Sequence, residues 1–221
     1  MSEVNGVDVS HHNEEVDWDA VAAAGIQFAF AKATEGATGT DSRFAENWAA
    51  IKDAGILRGA YHFFHPVSSS PEDQAHHFLA VIGSLSPGDL PPVLDLEETS
   101  QQHDEWPTVP AADRAGLVLR WLDIVEAAVG VTPIIYTRRG WINSNIPSAT
   151  ELGRYPAWLA EYSSHPSPTV PSLWTTWTFW QYTETGALDG VDGSFDLNRF
   201  NGTSDDLLAL TKPDSAIAII T

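Results

Sequence analysis

The sequence predicts an α/β protein built around a largely parallel sheet, and three observations lead to this prediction. As far as Tyr136, apolar segments of strand length alternate with segments of helical pattern. The strand-length segments recur roughly every 25 to 35 residues, which is the spacing of β/α units. Beyond that point they lie much closer together, with little room for helices between them. The expected fold is an irregular TIM-like barrel of five β/α units followed by three helix-poor strands.

Eight segments have the length and composition of strands. They are apolar, rich in β-branched and aromatic residues, and bounded by turn-forming residues. Three prolines between the sixth and seventh segments exclude a regular helix there, and the stretch between the seventh and eighth is long enough only for a loop or hairpin. We expect strands at 4–9, 27–31, 57–63, 92–96, 132–136, 157–161, 178–182 and 194–198.

Helix boundaries are marked by capping residues. Asp17 is a candidate N-cap, Ser70 followed by Pro71 is a strong helix start, and Gly130 closes a long helical segment. Ser204 and the two acids after it are expected to cap a last helix that covers the barrel. We expect helices at 17–24, 42–54, from 71 onward, 113–129 and from 204 onward.

The chain is long enough for one large domain with a substantial core. It has 221 residues, of which 43% are hydrophobic and 19% are charged, the balance of a soluble globular protein. No linker, repeat or low-complexity segment divides it. We therefore expect a single barrel domain over residues 1–221, with a core at about 4–210 and a short tail at 211–221.

Composition also excludes several classes of function. The formal net charge is −19, and no Lys or Arg occurs between Arg58 and Arg114. Such a surface repels phosphate backbones and anionic lipids, so we expect neither nucleic acid nor a membrane as partner. The chain has no Cys, which excludes disulfides, thiolate metal ligands and a Cys nucleophile.

Two carboxylates follow the fourth predicted strand, at the end where β/α barrels carry their function. Side chains alternate along a strand, so Asp95 and Glu97 share a face, with their backbones roughly 6.5 Å apart. Close like charges force two pKa values apart, so one carboxyl can keep a proton near neutral pH. An acid beside an anion is the chemistry of glycoside hydrolysis, and carboxyls about 5 to 5.5 Å apart are typical of retaining enzymes.

Two further carboxylates are expected in the same cleft. Asp8 and Asp196 lie on the first and last strands, which are neighbours in a closed barrel. A cleft of four carboxylates suits a cationic transition state and disfavours a phosphate substrate. Among the histidines, only His62 is well placed at a strand end, so we expect no catalytic metal and no cofactor.

Eight short segments occur in series between about residues 5 and 202: 6–10 (GVDVS), 30–36 (FAKATEG), 59–63 (GAYHF), 94–97 (LDLE), 133–137 (PIIYT), 158–162 (WLAEY), 180–182 (WQY) and 195–200 (FDLNRF). The set resembles glycoside hydrolase family 25, the Chalaropsis-type lysozymes. The resemblance implies the same barrel, with cleavage of the β-1,4 bond between N-acetylmuramic acid and N-acetylglucosamine in peptidoglycan.

The resemblance also implies roles for individual residues. By position, Glu97 would be the general acid, and Asp95 would assist as a nucleophile or by stabilising a reacting 2-acetamido group. Asp8 and Asp196 match the other acidic positions of the family's cleft. Lys32 and Glu35 are expected to pair with each other. The expected substrate-binding residues are Tyr61, Tyr136, Trp180, Gln181, Glu35, Lys32 and Glu161.

Several expectations accompany this assignment. Residues 1–5 lack the basic and apolar regions of a signal peptide, so extracellular or cell-wall action would require a leader already removed or phage-type release. Peptidoglycan glycan strands are the expected partner, and a monomer is the expected state. Two alternatives remain: a chitinase-like glycosidase, whose acidic strand motif would be longer than the one that begins at Val93, and a non-catalytic carbohydrate-binding barrel.

Overall fold

A computed structural model describes residues 3–13, 15–100 and 102–214. Its strands form one sheet, and all but the two-residue β3 overlap a predicted strand. Their bounds are β1 (Val4–Val9), β2 (Phe28–Glu35), β3 (Gly39–Thr40), β4 (Leu57–Phe63), β5 (Val93–Leu96), β6 (Ile134–Arg138), β7 (Ala157–Ala160), β8 (Phe179–Leu188) and β9 (Val191–Phe200).

The sheet closes into a barrel. Its order is β1-β9-β8-β7-β6-β5-β4-β2-β3, and β1 also pairs with β2, so eight strands form the ring while β3 is a short outer strand. Within the ring, neighbours from β1 through β8 are parallel, whereas β9 runs antiparallel to both β8 and β1. The outer strand β3 pairs antiparallel with β2. This arrangement confirms the predicted irregular TIM-like barrel, and a long β8–β9 hairpin occupies most of the stretch expected to be a loop or hairpin.

Helices pack around the barrel and across one end of it. The Asp17 carboxylate accepts from the Ala20 N–H at 3.0 Å, and the Ser70 hydroxyl accepts from the Asp73 N–H at 3.1 Å, as expected of N-caps. The bounds are α1 (Trp18–Ala23), α2 (Phe44–Asp53), α3 (Pro71–Ile82), α4 (Ala111–Val129), α5 (Arg139–Asn145) and α6 (Ser204–Leu210), with short 3₁₀ turns at Trp106–Thr108 and Thr150–Arg154.

Two helix predictions are corrected. The sequence did not predict α5, which follows β6 and completes the fifth β/α unit. The N-cap of α6 is Thr203, one residue before the expected Ser204, because Thr203 and Asp206 form a reciprocal capping box. Leu207 of α6 is buried among residues that fill the barrel, so this helix covers one end of it, as predicted.

Aromatic side chains fill the apolar part of the barrel interior. They leave no room for a side chain at two positions, which are both glycine. A Cβ atom at Gly6 would lie 2.3 Å from the Phe28 ring, and one at Gly59 would lie 2.4 Å from the Phe30 ring. Both glycines face the interior, so the rings occupy the space that side chains on β1 and β4 would otherwise take.

The interior changes from apolar to polar along the parallel strands toward their carboxyl ends, and along the antiparallel β9 toward its amino end. On β5 the inward side chains run from Val93 to Asp95, and on β6 from Ile134 to Tyr136, while the other side of the sheet is packed against helices. The polar end therefore forms a mouth on an otherwise closed, apolar barrel.

The limits of the domain stay a prediction. At the start of the expected tail, the Lys212 N–H donates to the Asp89 carbonyl at 2.8 Å and its ammonium donates to the Val129 carbonyl at 2.6 Å. The rest of the tail, from residue 215, lies outside the described residues. Within the described ranges, no helix is both long and apolar enough to cross a lipid bilayer.

Candidate active site

The barrel mouth contains a small cavity in which acidic and aromatic side chains from most of the ring converge. Its volume is about 80 Å³, and its lining side chains come from β1, β4, β5, β6, β7, β8 and β9. They are Asp8, Tyr61, Asp95, Glu97, Tyr136, Trp158, Gln181 and Asp196. The fold thus brings together all four carboxylates expected in the cleft, and three of the expected substrate-binding residues.

Asp95 is an unusual acid because it is buried and one of its oxygens has no partner. The residue is 5% exposed, and its Oδ1 atom has no hydrogen-bond partner among the described residues. Burial raises the pKa of Asp95 well above its ordinary value, and the negative charge of Glu97 raises it further. The cavity thus contains a hydrogen-bond acceptor that an incoming N–H donor would satisfy.

Glu97 lies one residue beyond β5, at the rim of the cavity. Its carbonyl accepts a hydrogen bond from Trp106 Nε1 at 3.0 Å, which fixes its backbone. Burial raises the pKa of its carboxyl, while the nearby Arg138 guanidinium acts in the opposite direction. Since its side chain remains 24% exposed, Glu97 is the member of the pair that can keep a proton and still reach a substrate.

Gln181 connects four other segments around the cavity through its side-chain amide. Its Oε1 accepts hydrogen bonds from the Tyr136 hydroxyl at 2.9 Å and from the Tyr162 hydroxyl at 2.7 Å. Its Nε2 donates to Asp8 at 2.9 Å and to Asp196 at 3.2 Å. All four hydrogen-bonding positions of the amide are therefore used, which fixes its orientation.

Asp8 and Asp196 are directly opposite each other where β1 pairs with β9. Asp8 also accepts from Asn198 Nδ2 at 2.7 Å. Burial, followed by the charge of Asp196, raises the pKa of Asp8 well above its ordinary value, and burial raises the pKa of Asp196 to about 6. Two adjacent carboxyls in this environment hold a proton between them at mildly acidic pH.

A wider groove of about 500 Å³ includes Lys32, Glu35 and His65 in its lining. Lys32 Nζ lies 2.7 Å from Glu35, so these two residues form the expected pair. The two ring nitrogens of His65 lie 3.0 Å from Glu35 and 3.0 Å from Glu105. Ionised carboxylates only accept, so both contacts are hydrogen bonds when each ring nitrogen of His65 carries a proton.

Hydrogen bonds within this network are the main cause of the pKa shifts of Glu35 and His65. The hydrogen bond from His65 is the largest cause that lowers the pKa of Glu35 to about 2, and the reciprocal bond raises the pKa of His65. Glu105 also accepts from the Val67 and Ser68 N–H groups at 2.8 and 3.1 Å. The network therefore ties the loop after β4 to the end of β2.

Two expected substrate-binding residues, Trp180 and Glu161, lie outside the cavity, and their part in substrate binding stays a prediction. Trp180 precedes the inward-facing Gln181, so alternation turns its ring outward, where it is 2% exposed and lies near Trp177 and Tyr182. The Glu161 carboxylate accepts from Ser163 and Thr169 and so holds the loop after β7.

His62, the histidine best placed for a metal, faces away from the mouth. It lies between Thr34 and Gln74, stacks on Trp121, and burial lowers its pKa to about 3. Throughout the described ranges, no group of three or more His, Asp or Glu side chains is arranged to hold a metal ion.

Three residues at the mouth were not predicted as site residues: Arg138, Tyr162 and Asn198. Alternation could have found all three, since Arg138 follows Tyr136 by two positions, Tyr162 follows Trp158 by four, and Asn198 follows Asp196 by two. Asn198, which lies on the last predicted strand, donates to Asp8 and accepts from Trp158 Nε1 at 2.8 Å.

Comparison with known proteins gives a consistent result. The model of the family described as glycosyl hydrolases family 25 matches residues 7–191. The chain belongs to this family. Its fold is similar to the bacterial lysozyme from Streptomyces coelicolor, with a TM-score of 0.90 and 38% identity over 96% of this chain and 98% of that one.

Two curated relatives of this family 25 chain are also similar over most of its length. Lysozyme M1 of Streptomyces globisporus is 38% identical over 95% of this chain and 71% of its own length. The N,O-diacetylmuramidase of a Chalaropsis species is 32% identical over 94% of this chain and 98% of its own. The resemblance read from the short segments is thereby confirmed.

Proposed function

We propose that this family 25 chain is a muramidase that hydrolyses the β-1,4 bond between N-acetylmuramic acid and N-acetylglucosamine in peptidoglycan. The observation that supports this most strongly is the Asp95–Glu97 pair at the barrel mouth. One member is rim-exposed and can donate a proton, whereas the other is buried with an unpartnered oxygen. Family membership and relatives named as lysozymes and muramidases support the same substrate.

In the first step, Glu97 protonates the glycosidic oxygen as its bond to C1 breaks, and the electron pair of that bond stays on the oxygen. The oxygen of the 2-acetamido group of the muramic acid attacks C1. The N–H of the same acetamido group donates a hydrogen bond to Oδ1 of Asp95. This hydrogen bond stabilises the ionised form of Asp95. The one proton that Asp95 and Glu97 share therefore stays on Glu97.

In the second step, the Glu97 carboxylate takes a proton from water as that water attacks C1 and releases the acetamido group. Two inversions at C1 give net retention of configuration. Asp8, Asp196 and Gln181 form the opposite wall of the cavity, and we assign them to holding the sugar while positive charge develops at C1.

We further propose that the enzyme acts as a monomer on the cell wall outside the cytoplasm. The cavity is enclosed by seven strands of one closed barrel, which supports a site complete within a single copy.

A matched pair of variants tests the proposed acid. Glu97→Gln should lower kcat on purified peptidoglycan by about 10²- to 10⁴-fold, the usual contribution of a general acid. Glu98→Gln, which changes the exposed neighbouring carboxylate, should keep most of the wild-type rate. Full activity of Glu97→Gln would contradict the proposal, and turnover of chitin oligomers in place of peptidoglycan would favour the chitinase-like alternative.

A further inference from the structure

Arg138 is the cation nearest the proposed acid, and neither the sequence segments nor the mechanism above assigns it a role. It ends β6 two residues after Tyr136 and so faces the mouth. Its Nη2 lies 3.9 Å from Oε2 of Glu97, and its guanidinium carbon lies 5.7 Å from the centre of the Tyr162 ring. With 45% of its side chain exposed, Arg138 lies at the rim, where a substrate would pass.

Most of the charge around Glu97 is negative. The anionic groups facing it are Asp95 on the same strand end, the adjacent Glu98, and Asp196 on β9. In such surroundings a carboxyl holds its proton too firmly to be an effective acid, because donating it creates one more negative charge.

Two cations offset these charges, Lys32 on β2 and Arg138 on β6. Lys32 is engaged by Glu35 at 2.7 Å, so part of its charge is already neutralised. Arg138 instead forms its ion pair with Glu97 itself. The Tyr162 ring and the Glu97 carboxylate both lie close to its guanidinium and limit where that group can move.

We propose that Arg138 is a positioning residue that stabilises the Glu97 carboxylate formed when Glu97 gives its proton to the glycosidic oxygen. This inference rests on the proposed role of Glu97 as the acid. The proton moves from Glu97 to the leaving oxygen, and the negative charge left on Glu97 lies beside a guanidinium that is already in place. Arg138 therefore makes the protonated Glu97 a stronger acid without touching the reacting atoms.

The pH profile of kcat/KM tests this role, because its alkaline limb reports loss of the proton from the acid. Arg138→Ala should move that limb to higher pH by about one unit or more, the usual effect of a charge at this distance. The same variant should lower kcat on the plateau, because a weaker acid protonates the leaving oxygen less readily. In Arg138→Lys the alkaline limb should stay close to its wild-type pH, because the positive charge is kept. In Arg139→Ala, which changes the exposed neighbouring arginine, the pH of the limb should not change.

A second measurement separates this inference from the proposed function. The Glu97 carboxyl can be titrated by ¹³C NMR in the free enzyme and assigned by its absence in Glu97→Gln. Its pKa should rise in Arg138→Ala whether or not Glu97 proves to be the acid. An unchanged Glu97 titration, or a rise in KM with no movement of the alkaline limb, would overturn the role given to Arg138.

Discussion

At the scale of single residues, the geometry of the cavity depends on Gln181, whose amide joins two tyrosine hydroxyls to two carboxylates. In Gln181→Leu, the new side chain has a volume similar to that of glutamine but can form none of the four hydrogen bonds. It leaves buried polar groups without partners, so we expect the free energy of unfolding to fall by about 2 kcal/mol or more. Urea denaturation measures this loss, with the exposed Gln102→Leu as control. A change within about 0.5 kcal/mol, as for a surface substitution, would contradict the role of Gln181.

Alternation along strands predicted some site residues and could not predict others. It placed Asp95 and Glu97 on one face, and the structure brings both to the cavity. The short matching segments do not say which residues face inward. Trp180 and Gln181 are adjacent on one strand, so only one of them can line the barrel, and the structure places Gln181 there.

At the scale of elements, a bulge in β2 determines where its charged residues lie. Lys32 and Glu35 are three positions apart and would face opposite sides of a regular strand. Residues on either side of the bulge are in register with Tyr61 and His62, so Lys32 and Glu35 both face the mouth. Nothing in the pattern of residues 28–35 predicts such a bulge.

The sequence predicted the long helices better than the short one. Long apolar periodicity and caps identified α3 and α4, whereas α5 is seven residues long and includes Gly140 and two Asn residues, which are weak helix formers. Burial of Trp141 and Ile142 stabilises this helix, and such tertiary contacts cannot be read from local propensity.

The His65 network predicts a pH dependence of stability. The folded pKa of His65 is raised, so its contribution is complete below the unfolded value of about 6.5 and is lost as pH rises through the folded value. His65→Gln should therefore lower the Tm by a few degrees at pH 5, and the difference from wild type should shrink at alkaline pH. Thermal unfolding between pH 5 and 9 measures it.

The control for this experiment is His76→Gln, at an exposed histidine on α3. Its Tm should follow that of the wild type across the range. A difference between wild type and His65→Gln that stays constant with pH would show that His65 acts through packing and not through its charge.

At the scale of the whole molecule, the cavity at the mouth and the closure of the barrel depend on each other. Asn198 and Asp8 are 190 residues apart in the chain, yet their 2.7 Å hydrogen bond joins the first and last strands inside the cavity. Strand spacing predicted the eight-stranded closure and the neighbouring positions of Asp8 and Asp196. It could not predict how far the β8–β9 hairpin extends, because its polar, glycine-containing segments resemble loops.

We propose that this barrel cleaves the β-1,4 bond of peptidoglycan so that N-acetylmuramic acid stands at the new reducing end. The most direct test digests purified peptidoglycan, reduces the new chain ends with borohydride, and identifies the reduced sugar by mass spectrometry. The claim predicts reduced N-acetylmuramic acid, formed by the wild type and nearly absent with Glu97→Gln. Reduced N-acetylglucosamine in its place would contradict the claim.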